Sequence, residues 1–302
     1  MDYQRRQQQT RHRMEEANLE TLLISSAANV RYLSGFAGEG YLMLSGQEAA
    51  LCTDSRYSLE AEQLTLDQID IVINPNGYVD GALEWLDGRV CSGLAFEEHA
   101  VTYAQYAKLS EKLGTDKLTP VSGVVEELRM VKDDSEVALI RNAASVASRT
   151  VGELLAEVKP GVSELEIAME LERRMVLMGA EGAAFPTIAA SGPNSALPHA
   201  RPGKRLLDDG EILKIDAGSR VDGYCSDLTR TIWVGDEPTE QFRKVYGAVL
   251  EAQEAALAAV EAGVACAHID HVARQVLVDA GFGDNFTHAV GHGVGLEVHE
   301  GP

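Results

Sequence analysis

The chain is expected to fold as two domains of different architecture, an α/β domain over residues 1–128 and an α+β domain over 129–302. Three observations predict this. A length of 302 residues with 45% hydrophobic side chains can bury a sizeable core and suggests about two domains. Strand-like and helical segments alternate through the first part, the signature of a compact α/β unit. The charged stretch Arg129-Met130-Val131-Lys132-Asp133-Asp134-Ser135-Glu136 then reads as a boundary. Ser135 is placed to cap the helix that follows.

In order, a polar helix reaches about residue 18, and 21–25, 41–44 and 49–53 read as successive strands. Helices near 56–64, 78–86 and 102–113 interleave with strand candidates at 69–73 and 93–96. Beyond the boundary, helices at 135–158 and 163–178 flank Lys159-Pro160-Gly161, a breaker. A strand at 187–190 precedes a hairpin, and helices near 239–262 and 268–280 follow.

Composition narrows the function classes. A formal net charge of −21 argues against a general affinity for nucleic acid or an anionic membrane surface. The N-terminus is basic and polar (Arg5, Arg6, Arg11, Arg13) without an apolar core segment, so no signal peptide is expected. No run approaches the length of a membrane span. Cys52, Cys91, Cys225 and Cys266 are scattered without a CxxC pair, and each is expected to be a small buried apolar residue. A cytoplasmic protein is the expectation.

The chemistry concentrates in the hairpin and one later motif. Two β-rich runs flank Asp222-Gly223, a strong signal for a tight turn. An even-numbered loop would put Asp216 and Asp227 on one face, opposite or diagonal to each other. Like charges so placed destabilise a sheet, and a cation between them removes the repulsion. A one-residue slip would part them. His292, between Gly291 and Gly293, is the candidate third ligand. Imidazole with carboxylate suits manganese, cobalt, iron or zinc better than calcium or magnesium. The glycine-rich stretch lacks the Lys and following Ser or Thr of a phosphate-binding loop.

The segments Ser191-Gly192-Pro193-Asn194-Ser195-Ala196-Leu197-Pro198-His199, Asp216-Ala217-Gly218 with Gly223-Tyr224-Cys225-Ser226-Asp227-Leu228-Thr229-Arg230-Thr231, and His288-Ala289-Val290-Gly291-His292 through His299-Glu300 together resemble the catalytic domain of the creatinase, aminopeptidase P and prolidase family. Asn29 to Phe36 and Leu51 to Tyr57 resemble that family's smaller N-terminal domain. The resemblance implies a pita-bread fold and metal-dependent cleavage between an N-terminal residue and proline, in a peptide or an Xaa-Pro dipeptide. It implies two divalent ions, manganese foremost with cobalt, zinc or iron as options, and a homodimer. Asp216 would bind one ion, Asp227 would bridge both and His292 would bind the other. His199 and His288 would contact substrate and help move protons, and His299 would contact the substrate backbone.

The family pattern continues to two further glutamate ligands, which would lie beyond Gly301-Pro302. The resemblance therefore implies a catalytic domain without its last strands, a natural protein several dozen residues longer, and little activity in this chain by itself. Glu297 and Glu300 sit in the wrong motif to replace those ligands. A methionine aminopeptidase shares the catalytic fold but generally lacks the N-terminal domain, and two other functions remain open at this point. One is a pita-bread module that grips peptide without cutting it. The other is a creatinase-type amidinohydrolase, in which the aspartate positions retained here are replaced.

Overall fold

A computed structural model describes residues 1–64, 69–89 and 92–302. Its contacts divide the chain into Met1–Glu136 and Val137–Pro302. The expectation for Cys91 falls outside the described residues.

The first unit opens with α1 (Tyr3–Glu16), started by the Asp2 carboxylate accepting the Arg5 amide at 2.9 Å. It continues through β1 (Thr21–Ile24), α2 (Ala27–Ser34), β2 (Gly40–Ser45), β3 (Ala49–Thr53) and α3 (Ser58–Gln63). Then come β4 (Asp70–Ile73), α4 (Tyr78–Leu86), β5 (Leu94–Glu97), α5 (Tyr103–Leu113), β6 (Leu118–Val121) and α6 (Glu126–Met130). The strands form one mixed sheet in the order β4-β3-β2-β1-β5-β6. The central strands β1 and β3 are buried at every position and read as continuous apolar runs rather than alternating ones. Leu23, Met43, Trp85, Phe96 and Leu109 meet in the core on one side. Thr102 caps α5 reciprocally with Gln105. Helix α2 escapes a periodicity reading because eight residues give too little pattern, and its Asn29 is buried in hydrogen bonds to Glu97 and Arg129.

The long α7 (Asp134–Leu155) leads into the second unit. Ser135 does not cap it. Asp133 does: its Oδ1 accepts the Glu136 amide at 2.9 Å while Glu136 Oε2 accepts the Asp133 amide at 3.0 Å. Ser135 falls inside the first turn, too late to reach those amides, and its hydroxyl donates to Asp133 instead.

Next come α8 (Glu164–Leu177), β7 (Gly182–Ala183), β8 (Ile188–Ser191), β9 (Glu211–Ala217), β10 (Ser219–Val221), β11 (Tyr224–Cys225) and β12 (Leu228–Val234). The unit ends with α9 (Glu240–Ala258) and α10 (Cys266–Asp279). An antiparallel sheet β12-β9-β8 lays Leu213, Ile215 and Ala217 against Val151, Leu154, Ile167, Leu171 and Met175 of α7 and α8. A second small sheet is ordered β11-β10-β7. Helices α9 and α10 pack on each other through Ala248, Ala252, Ala256, Ala273 and Leu277, small residues that let the backbones approach.

Cys52 and Cys225 are buried as expected, but Cys266 is exposed, because it is the first residue of α10. Among the described residues, no helix is long and apolar enough to cross a membrane.

Candidate metal centre

The hairpin carries the two aspartates. At its tip Asp222 and Gly223 both have positive φ, 48° and 82°, the conformation of a two-residue turn matched to strand twist. Val221 pairs with Tyr224 at one end and Ala217 with Leu228 at the other, so the two ladders keep the same register although pairing is interrupted at Gly218 and at Ser226-Asp227. Gly218 makes this possible: a Cβ there would stand 1.9 Å from the Ser226 carbonyl oxygen. In that register Asp216 faces Thr229, and Asp227, one residue before β12, falls on the diagonal when the register is continued. Leu213, Ile215 and Ala217 point into the core, so alternation along β9 turns Lys214 and Asp216 to the other face.

Burial pushes the Asp216 carboxyl above the usual carboxylate range, and the charge of Asp227 adds to the push. Thr229 opposes it by donating to Asp216 Oδ1 at 2.9 Å, as do the charges of Lys214 and His199. Two carboxylates on one face, one half-buried, form a site short of positive charge.

The C-terminal motif closes onto this hairpin. The Cys225 amide donates to the Gly295 carbonyl at 2.7 Å, and Gly293 and Glu300 exchange both backbone hydrogen bonds at 3.0 Å. His292 Nε2 then lies 3.4 Å from Asp227 Oδ2, with the His299 ring 4.2 Å from that of His292. His292 Nδ1 is 2.8 Å from the Gly293 carbonyl oxygen. A carbonyl cannot donate, so Nδ1 carries a proton, which leaves Nε2 as the ring nitrogen turned to the Asp227 carboxylate. Either a proton or a metal cation between Nε2 and the carboxylate satisfies this contact. Asp216, Asp227 and His292 are the donor types a divalent ion takes, brought to one face of the hairpin but not converging on one point.

His199 is exposed on the loop between β8 and β9, close enough for its charge to act on Asp216. His288 is held elsewhere. Its ring packs on Phe286 at 4.9 Å, its Nδ1 meets the Ala289 carbonyl at 2.8 Å, and its own carbonyl accepts from Arg274. None of these contacts reaches either aspartate. Among the described residues, no three His, Cys, Asp or Glu side chains converge as a group that could hold one ion.

Three residues to which the sequence reading gave no role support the site. Thr229 could have been found by pairing the hairpin out from Asp222-Gly223. Glu164, 1% exposed, accepts from Ser191, Asn194 and Gly203 and so ties down the His199 loop. Lys214 donates to the Leu197 carbonyl of the same loop. No local signal marks the last two.

Residues 138–302 match metallopeptidase family M24, and residues 6–131 match the creatinase/prolidase N-terminal domain. The chain is 34% identical to an Xaa-Pro dipeptidase of Pyrococcus furiosus over 96% of its own length and 81% of that protein. The solved structure of an Xaa-Pro dipeptidase from Bacillus anthracis superposes with a TM-score of 0.94 at 34% identity, covering 99% of this chain and 84% of that one. An X-Pro aminopeptidase from Thermotoga maritima gives 0.89 at 35% identity, covering 98% and 83%. Membership implies a dinuclear divalent-metal site in a pita-bread domain. With both matches covering nearly the whole chain, and the paired aspartates on one hairpin face, this protein belongs to the M24 metallopeptidases, with a creatinase/prolidase N-terminal domain ahead of a metal-dependent peptidase domain.

Proposed function

We propose that the protein hydrolyses the bond between an N-terminal residue and proline, as an Xaa-Pro dipeptidase or aminopeptidase, with manganese as its metal. The observation that carries the site is the diagonal of Asp216 and Asp227 with His292 Nε2 directed at Asp227 from 3.4 Å. Asp216, Asp227 and His292 would be the residues that hold the ions. The mixture of hard carboxylate and borderline imidazole supports manganese or cobalt over calcium. When bound, such ions supply Lewis-acid activation of water and stabilise the oxyanion that develops on the substrate.

The chain's own residues do the rest. Thr229 holds one Asp216 oxygen, leaving the other for metal. The Gly293 carbonyl fixes the His292 tautomer, which keeps Nε2 free as a ligand. His299, its ring tilted against that of His292, contacts the substrate backbone, and His199 orients the substrate and relays a proton at the imidazole. His288 takes a similar role at the substrate. The resemblance also supports a homodimer, and the scattered cysteines support action in the cytoplasm.

Initial rates on an Xaa-Pro dipeptide, an Xaa-Pro-peptide, a methionyl-peptide and creatine, each with manganese and with a strong chelator, test this reading. Metal-dependent turnover confined to the Xaa-Pro substrates is expected. Turnover of creatine alone, or activity undiminished by prolonged chelation, would overturn it.

A further inference from the structure

The loop between β8 and β9 is pinned near its two ends by one side chain and at its middle by another. Glu164 takes the Ser191 amide at 2.7 Å, Asn194 Nδ2 at 3.0 Å and the Gly203 amide at 3.2 Å. The stretch between, which carries His199, is met by Lys214, whose Nζ lies 2.6 Å from the Leu197 carbonyl oxygen and 3.5 Å from that of Pro198. Lys214 sits on β9 two residues before Asp216, on the same face, away from the core. Its hydrogen bonds go to the loop, not to the carboxylate it neighbours.

We propose that Lys214 is a positioning residue, whose ammonium clamps the Leu197-Pro198 unit so that His199 stands beside Asp216. The inference rests on the peptidase reading of this site and adds to it a residue that acts through His199. Two physical features make a single clamp sufficient. Pro198 has a fixed φ, and the residue before a proline is confined to extended backbone, as Leu197 is at φ −87° and ψ 118°. The Leu197–Pro198 segment is therefore stiff, and holding its carbonyl fixes where His199 begins. An ammonium offers three donors and no acceptor, so it bonds carbonyls strongly without competing for a metal.

The direct test uses the metal-free 302-residue protein. Lys214→Met keeps the length and apolar stem but removes the donors, and Lys214→Arg keeps charge and donors. With the His199 imidazole proton signal assigned by its loss in His199→Ala, Lys214→Met is expected to shift and broaden it. Amide exchange over residues 196–203 should accelerate about tenfold, the scale of losing one charge-assisted hydrogen bond. Lys214→Arg should restore both. An unmoved His199 signal with unchanged exchange overturns the clamp.

Turnover of an Xaa-Pro substrate separates this outcome from failure of the site reading. Lys214→Met is expected to lower kcat/KM about tenfold and to have no further effect in a His199→Ala background. Losses that multiply independently overturn the proposed route through His199. Turnover untouched by His199→Ala alone sinks the site reading, and the proposal with it.

Discussion

His292 Nε2 stands 3.4 Å from Asp227 Oδ2, with Nδ1 of the same ring 2.8 Å from the Gly293 carbonyl oxygen. Asp227 thereby joins the hairpin to the C-terminal motif, and it also faces Asp216 diagonally across the hairpin. Asp227→Ala is expected to lower peptidase activity on the order of a thousandfold, well beyond the loss from His199→Ala. The metal-free fold should survive, because the substitution removes one of two like charges on one face. Thermal melts of the apo variant beside steady-state kinetics check both halves. Equal, mild losses from the two substitutions would mean that the site lies elsewhere.

Metal binding by the 302-residue polypeptide should be weak. Among the described residues no three candidate side chains converge on one point, so each ion would rely on few protein donors. Calorimetric titration with manganese is expected to give a Kd above about 1 μM, and Asp216→Asn should weaken it further. Tight uptake of two equivalents would show that other side chains complete the shell.

Gly218→Ala should damage the hairpin more than any surface change nearby. A Cβ there meets the Ser226 carbonyl oxygen at 1.9 Å, and that oxygen belongs to the backbone and cannot swing away. A loss of about 3 kcal/mol is expected by denaturant unfolding, with reduced metal affinity because the Asp216–Asp227 diagonal depends on the register. An unchanged unfolding midpoint would contradict the close crossing of the strands.

Glu164 gives the stability a pH dependence. Burial pushes its carboxyl upward, but hydrogen bonds from the Ser191 amide, Asn194, the Ser191 hydroxyl and the Gly203 amide outweigh it, so the group titrates below the usual carboxylate range. A depressed folded pKa contributes stability in full above the unfolded value, near 4.3, and loses it as pH falls through the folded value. Glu164→Gln should cost about 1–3 kcal/mol at pH 7, and the deficit should shrink in acid. Denaturant melts of both proteins at pH 7 and pH 3 decide it. A deficit of equal size at the two pH values would remove the carboxylate from the account.

Much of the fold is legible in short stretches of chain. Continuous apolar runs mark β1 and β3, Thr102 and Ser163 announce α5 and α8, and Asp222-Gly223 locates the turn that sets Asp216 against Asp227. These signals work because capping, turn conformation and strand alternation act over a few residues, where the partners are visible together. The misplaced cap of α7 has a local cause. Whether Asp133 or Ser135 caps α7 turns on one position in the first turn, and two adjacent polar residues look alike to a pattern.

Chain closure decided the remainder. His292 meets Asp227 because Cys225 binds the Gly295 carbonyl, while His288, four residues before His292, is drawn off by Phe286 and Arg274. Glu164 and Lys214 gain their roles only once α8 and β9 bring them to the His199 loop. The same carboxylate or ammonium on an exposed face would be ordinary surface charge. What separates the two cases is which backbone groups the folded chain delivers to it, and that depends on packing between segments distant in sequence.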